Sequence, residues 1–148
     1  FAGFVVGVFC SLVGTQIMGE FGPLVTFRIA LGSGLAFLTA QLLDVSIFER
    51  MRQGAWWRAP LISTLVGSSV DTAIFFTVAF SAALSFLEPE NGVSWAGEIL
   101  PLLGAGPEMP LWVSLAVADW LVKLALALVA LLPFRLIVSR ALNGRIAA

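Results

Sequence analysis

The chain has 148 residues, 59% of them hydrophobic and 11% charged, with a formal net charge of −1 and a mean hydropathy of +1.01. A soluble domain carries about a quarter charged residues, and a disordered one combines low hydrophobicity with high net charge, so neither class fits and lipid is the natural solvent. The charge balance offers no basic footprint for a nucleic-acid partner, while one cysteine, Cys10, and the absence of histidine exclude an intrachain disulfide, a Cys- or His-based metal site and any Ser–His or Cys–His pair, so neither cofactor nor metal is expected.

The sequence opens on Phe1 without an initiator Met, so a preceding segment, retained or removed, is expected. A helix needs about 20 apolar residues to cross the hydrocarbon core. Four stretches qualify, and together they predict an all-α integral membrane protein, a transmembrane helix bundle forming a single membrane domain over 1–148. The first runs from Phe1 to about Met18 and is uncharged; it has no basic start or cleavage site of a signal peptide. The second runs over 24–48 and is apolar except for Arg28, Gln41 and Asp44. The third runs over 60–87 and is interrupted by Asp71; Pro60 opens it, where a missing N–H costs little. The fourth runs over 111–138 and contains Asp119, Lys123 and Arg135. Each is read as a helix because lipid leaves no partner for an unpaired backbone group.

The connections set an orientation. The loop 49–59 carries Arg50, Arg52 and Arg58, and the tail carries Arg135, Arg140 and Arg145. The connection 88–110 has no Lys or Arg and holds Glu88, Glu90, Glu98 and Glu108. Positive loops stay in the cytoplasm, so the basic loop and C-terminus are expected inside and the acidic loop outside, in a multi-pass membrane protein. Trp56 and Trp57 beside Arg58 read as an inner interfacial anchor, and Trp112 as an outer one. Within the acidic loop, Trp95, Ile99, Leu100 and Leu103 have the spacing of one short interfacial helix. No internal repeat of the kind that builds inverted-repeat transporters is present.

Charged groups within lipid cost roughly 2.5–3.5 kcal/mol each on insertion scales and usually face the bundle interior. Asp119 precedes Lys123 by four residues, so the two share a helix face. They read either as a self-neutralising structural pair or, with Asp71, as the lining of a polar cavity. Asp71 has no partner on its own helix; its bland reading is a hydrogen bond to a neighbouring Ser or Thr. Gln41 and Asp44 share a face near the cytoplasmic end, where Asp44 can reach water or meet Arg50 or Arg52. Arg28 lies one turn inside the outer end, where snorkelling to headgroups is the ordinary explanation. Ser63, Thr64, Ser68, Ser69 and Thr72, and the glycines at 3, 7, 32, 34 and 67, suit close helix packing. These groups also suit recognition of a small polar aromatic: a carboxylate accepts N–H bonds from a guanine-like edge, Gln41 both donates and accepts, and Lys or Arg donates to a ring carbonyl. Phe75, Phe76 or Trp120 can stack on a flat ring. A cation or proton remains an alternative ligand.

Several segments together resemble one family. They are Arg28-Ile29-Ala30; Gln41-Leu42-Leu43-Asp44-Val45 with Phe48-Glu49-Arg50-Met51-Arg52; Trp56-Trp57-Arg58-Ala59-Pro60; Ser63-Thr64-Leu65 followed by Val70-Asp71-Thr72 and Ala79-Phe80; and Asp119 with Lys123, then Pro133. Their order and spacing, from about Phe27 to Pro133, resemble the queuosine precursor transporters of the VUT (YhhQ) type. The resemblance implies a bacterial inner-membrane importer of 7-deazaguanine precursors of queuosine, such as 7-cyano-7-deazaguanine, used in tRNA modification. It also implies six helices, similar to the substrate-binding components of energy-coupling-factor vitamin transporters. Arg28, Gln41, Asp44, Asp71, Asp119 and Lys123 coincide with the family's polar positions, which implies that they bind substrate or line its path. Two departures stand out: the chain has four hydrophobic segments, and Ser68 and Ser69 occupy the place of an expected side-chain amide.

No Walker-type lysine motif is present, so the chain itself is not expected to hydrolyse ATP. Import by facilitated diffusion or ion coupling competes with a binding subunit for another small vitamin that needs an ATPase partner. The expected partners are a small deazapurine and the lipid bilayer, with a homo-oligomer left open. An intramembrane enzyme would have to use Ser63 or Ser69 with Lys123, and no catalytic role is assigned.

Overall fold

The computed structural model describes residues 2–20, 22–23, 25–89 and 93–146. Of the features read from the sequence, Phe1, Glu90 and the side chains of Arg140 and Arg145 lie outside the described residues. Four α-helices dominate: α1 (Ala2–Gln16), α2 (Phe27–Met51), α3 (Arg58–Phe80) and α4 (Leu111–Ile146). A two-residue hairpin, β1 (Met18–Gly19) with β2 (Gly22–Pro23), joins α1 to α2. Among the described residues three helices are long and apolar enough to cross a membrane: Phe27–Met51, Arg58–Phe80 and Leu111–Pro133. At about 1.5 Å per residue, α2 and α3 exceed the roughly 30 Å hydrocarbon core, whereas α1, with 15 described residues, does not.

Small residues set how closely these helices approach. On α2 the buried positions are Arg28, Gly32 and Ala36, a row at intervals of four. On α3 they include Ser63, Gly67, Thr72 and Ala79. A Cβ on Gly32 would stand 3.3 Å from the Phe75 carbonyl oxygen and 3.4 Å from the Val78 side chain, tighter than ordinary contact, so a bare Cα lets α2 and α3 approach closely there. Lipid gives helices no hydrophobic reason to associate, and association relies on such close packing. The α2–α3 seam is the most extensive contact; α4 packs on α3, and α1 leans on α2. Large apolar side chains point outward along α1 and α4, among them Phe9, Leu12, Val122, Leu126 and Val129.

The end of the bundle bearing 88–110 is locked by side chains. Thr26 caps α2, its hydroxyl accepting from the Ile29 amide at 3.3 Å. The Glu88 carboxylate accepts from the Phe27 and Arg28 amides, each at 3.1 Å, satisfying two donors that a helix start leaves orphaned. The Arg28 guanidinium reaches the other way, donating from Nε to the Val78 carbonyl at 3.0 Å and from Nη2 to the Ser81 carbonyl at 2.7 Å. These carbonyls lie at the end of α3, so one residue pair ties the start of α2, the end of α3 and the loop beyond it.

Here the structure corrects two expectations. Arg28 does not snorkel: it is only 1% exposed, and it caps a neighbouring helix. The stretch around Trp95 and Leu103 is not one interfacial helix. It forms short 3₁₀ turns at Ser94–Gly97 and Leu102–Gly104 and a hairpin, β3 (Ile99–Pro101) against β4 (Glu108–Pro110), with Leu100 opposite Met109. The reason is local: Pro101 and Pro107 lack amide donors, and Gly104 turns the chain at φ 83°. The hairpin is pinned to α4, the Leu111 amide donating to the Glu98 carbonyl at 2.8 Å. Likewise α3 ends at Phe80, and the apolar run continues to Leu87 as a 3₁₀ segment. At the opposite end, Arg135 of α4 lies over the Trp56 ring at 5.9 Å, so the loop 49–59 and the second half of α4 meet there.

Candidate functional site

α3 and α4 bring together the charges the sequence distributes between them. Lys123 Nζ stands 2.6 Å from Asp71 Oδ2 and 2.6 Å from Asp119 Oδ2. Thr72 completes the group, its hydroxyl donating to Asp119 Oδ2 at 2.8 Å and accepting from Lys123 Nζ at 3.2 Å. Both sequence readings of Asp119–Lys123 therefore meet in one cluster: the i,i+4 pair exists, and Asp71 joins it from the facing helix. The cluster holds two carboxylates and one ammonium. An ammonium has three donors, and all three are committed, to Asp71, Asp119 and Thr72. The carboxylates keep unused lone pairs. The cluster therefore offers acceptors, while the Lys123 ammonium already has a partner for each of its donors.

Asp71, Asp119 and Lys123 border a half-open cavity of about 370 Å³ lined also by Phe4 and Gly7 of α1, Ser33 and Phe37 of α2, and Phe75 of α3. Phe4 and Phe37 lie parallel, 5° apart with centroids separated by 6.2 Å. Phe75 meets Phe76 edge-on at 5.1 Å, and Phe76 is buried behind it. Of the aromatic side chains proposed for ring stacking, only Phe75 lines this cavity. Trp120 donates its indole N–H to Ser69 Oγ at 2.9 Å, a packing contact between α3 and α4.

Gln41 and Asp44 lie further along α2, bordering a second groove of about 530 Å³ with Thr64, Ser68, Asp71 and Lys123. Asp44 does not simply extend to water. Its carboxylate lies against Gly67, where a Cβ would overlap it, and among the described residues its buried Oδ1 meets no hydrogen-bond donor. Gly67 was read as a packing residue; it is the space that admits Asp44. Arg28 is apart from this group, bordering a third cavity of about 660 Å³ with Phe80, Glu88, Glu98 and Trp112.

The serine hydroxyls have other partners than Lys123. Ser63 donates to the Pro60 carbonyl at 3.3 Å and Ser69 to the Leu65 carbonyl at 2.7 Å. Such i−3 and i−4 bonds are how hydroxyls are satisfied within membrane helices. Among the described residues no three Cys, Asp or Glu side chains stand together as a metal site would require. Thr72 and Phe37 were missed as site residues. Thr72 adjoins Asp71 in sequence, and a hydroxyl beside an intramembrane carboxylate was the available signal.

Compared with known proteins, residues 2–138 match a family model described as "Putative vitamin uptake transporter". The chain is 33% identical over 111 residues to a Haemophilus influenzae protein named "Probable queuosine precursor transporter", an alignment covering 74% of this chain and 39% of that protein. It is 32% identical over 133 residues to the "Queuosine precursor transporter" of Escherichia coli, covering 86% of this chain and 51% of that protein. The chain thus spans about half the length, or less, of the curated relatives it matches. No solved structure matches it. Its three apolar spans, the charged cluster between them and the series of motifs from Phe27 to Pro133 all lie within the matched region, and the chain belongs to the vitamin uptake transporter (VUT, YhhQ) family.

Proposed function

We propose that this chain carries out membrane import of a queuosine precursor, a 7-deazaguanine such as 7-cyano-7-deazaguanine, with the Asp71–Lys123–Asp119 cluster at the binding position. The observation that carries the reading is the acceptor-rich floor beneath an aromatic-walled cavity. A deazaguanine presents its ring N–H and exocyclic amine along one edge, and a carboxylate with unused lone pairs accepts such a pair of bonds. Phe75, Phe37 and Phe4 supply flat apolar walls for a bicyclic ring. A cavity of about 370 Å³ is at the lower end of small-molecule sites. The relatives are named as transporters of a queuosine precursor.

Gln41 and Asp44 extend the polar path along α2, and Arg28 acts by holding the bundle end in place. The protein sits in a bacterial inner membrane as a multi-pass transporter, with the basic loop 49–59 and the C-terminus on the cytoplasmic side, and performs transport with no chemical step. The test is uptake of labelled 7-cyano-7-deazaguanine by cells unable to synthesise it, with and without the full gene. Restored uptake and queuosine in tRNA are expected; no uptake from a verified, inserted full-length protein overturns the assignment.

A further inference from the structure

We propose that the Asp71–Lys123 pair is a gate between two spaces in the bundle, opened when a ligand takes the place of Lys123 on Asp71. This deepens the import reading and rests on it for the ligand's identity alone. The 370 Å³ cavity and the 530 Å³ groove share three lining residues: Phe37, Asp71 and Lys123. All three spanning helices place the two spaces in the same order. On α2 the cavity is bordered up to Phe37 and the groove beyond it, to Asp44; on α3 Phe75 borders the cavity, and Thr64 and Ser68 the groove. On α4, Asp119 precedes Lys123 on the cavity side, and Leu126 and Ala130 follow on the groove side. The cavity therefore lies toward the end bearing 88–110 and the groove toward the end bearing 49–59. Between them stand one ion pair and one phenyl ring.

The second carboxylate makes this pair separable. Breaking an ion pair in a low-dielectric setting is costly because it strands a charge. Lys123 avoids that cost, since on leaving Asp71 it keeps Asp119 and Thr72, the former on its own helix one turn away. Asp71 is left with a carboxylate to satisfy, and a ligand bearing N–H donors on its edge satisfies it. Lys123 holds Asp71 through Oδ2 alone; an edge with two N–H donors spans both carboxylate oxygens and takes Oδ2 from the ammonium, so a paired-donor edge is both the recognition feature and the key. A ring without donors at that edge leaves the ammonium in place.

Thiol accessibility tests the gate without reference to transport. In a Cys10→Ser background, Ser33→Cys places a thiol on the cavity side and Ser68→Cys places one on the groove side. A membrane-impermeant thiol reagent is applied to sealed vesicles of the full-length protein from the side of 88–110. Position 33 is expected to react readily and position 68 slowly. Lys123→Met and, independently, Asp71→Asn should each raise the rate at position 68 by about tenfold or more, with position 33 unchanged as the folding control. A rate at position 68 that stays at the parental level in a variant retaining reaction at position 33 overturns the gate, as does equal rapid labelling of both positions in the parent. Saturating 7-cyano-7-deazaguanine should accelerate position 68 in the parent, and an analogue lacking the exocyclic amine should do so less. Acceleration by the variants with no response to either compound supports the gate and overturns the substrate.

Discussion

Lys123 carries one positive charge between two carboxylates, so the three residues are not equivalent targets. Asp119→Asn leaves a neutral Lys123–Asp71 pair, whereas Lys123→Met leaves two carboxylates facing one another. The full penalty for stranding a buried charge is about 3–5 kcal/mol, and these side chains, a quarter to a third exposed, bear less than that. Lys123→Met is therefore expected to lower the melting temperature in detergent and to abolish most uptake. Asp119→Asn should fold like the parent; equal destabilisation by the two changes would contradict this charge count. Thr72→Val removes both a donor to Asp119 and an acceptor for Lys123, and should reduce uptake several-fold with Thr72→Ser restoring it. Arg28→Lys belongs to a different class. An ammonium cannot reproduce the fork that reaches two carbonyls, and the loss of one charged hydrogen bond costs about 1.5–3 kcal/mol. Thermal stability should fall, with uptake per folded molecule retained. The Asp119–Lys123 pairing was legible in the sequence because i,i+4 neighbours share a face. That Asp71 shares a space with this pair was among the readings, but its direct ion pair was not legible, because it joins residues on separate helices, and neither was the role of Arg28, whose acceptors are backbone carbonyls fifty or more positions away.

Helix bodies follow from hydrophobic run length, but helix ends follow from caps. The continuous apolar run through Leu87 concealed the end of α3 at Phe80, since apolar residues serve equally well in a 3₁₀ segment against the bundle. The prolines and glycines between 99 and 110 carried the information that the Trp95–Leu103 spacing obscured. Glu88 is the strongest of the unforeseen caps: an acid in the outer loop reads as a topology marker, and its bonds to the start of α2 depend on the fold. Glu88→Ala should destabilise the protein by about 1 kcal/mol, within the range of other lost caps, measured as a lower melting temperature in detergent. Leu103 sits at φ 51°, a left-handed conformation that costs a β-carbon-bearing residue about 1–2 kcal/mol. As its side chain is largely exposed, Leu103→Gly should be neutral or stabilising in the same assay.

At the scale of the whole molecule, the outward apolar face of α4 is compatible with lipid and with nothing aqueous. An aspartate at Val129, which is 63% exposed on that face, should reduce membrane insertion, the penalty at a helix centre being about 2.5–3.5 kcal/mol. Reporter fusions provide the check on orientation: a fusion within 49–59 should report the cytoplasm and one within 88–110 the opposite side. Three of the four stretches read as spans are helices long and apolar enough to cross, while α1, with 15 described residues, is not; run length and the asymmetry of arginine between loops were readable because both depend on composition. The arrangement of helices was not, since the small residues that allow close approach carry no record of which partner they meet. The Arg28–Glu88 tie has a further bearing on biogenesis. Its two ends leave the ribosome 60 residues apart, so α2 enters the bilayer with a bare arginine near one end and, beyond the Thr26 cap, two first-turn amides without their acceptor. Only after α3 has followed and the chain has turned back do Val78, Ser81 and Glu88 arrive. The hairpin of α2 and α3 thereby becomes the first unit in which Arg28 has its carbonyl acceptors, while Asp71 still waits for Lys123 on α4, and truncation between Phe80 and Glu88 should leave a chain that lingers in the insertion machinery.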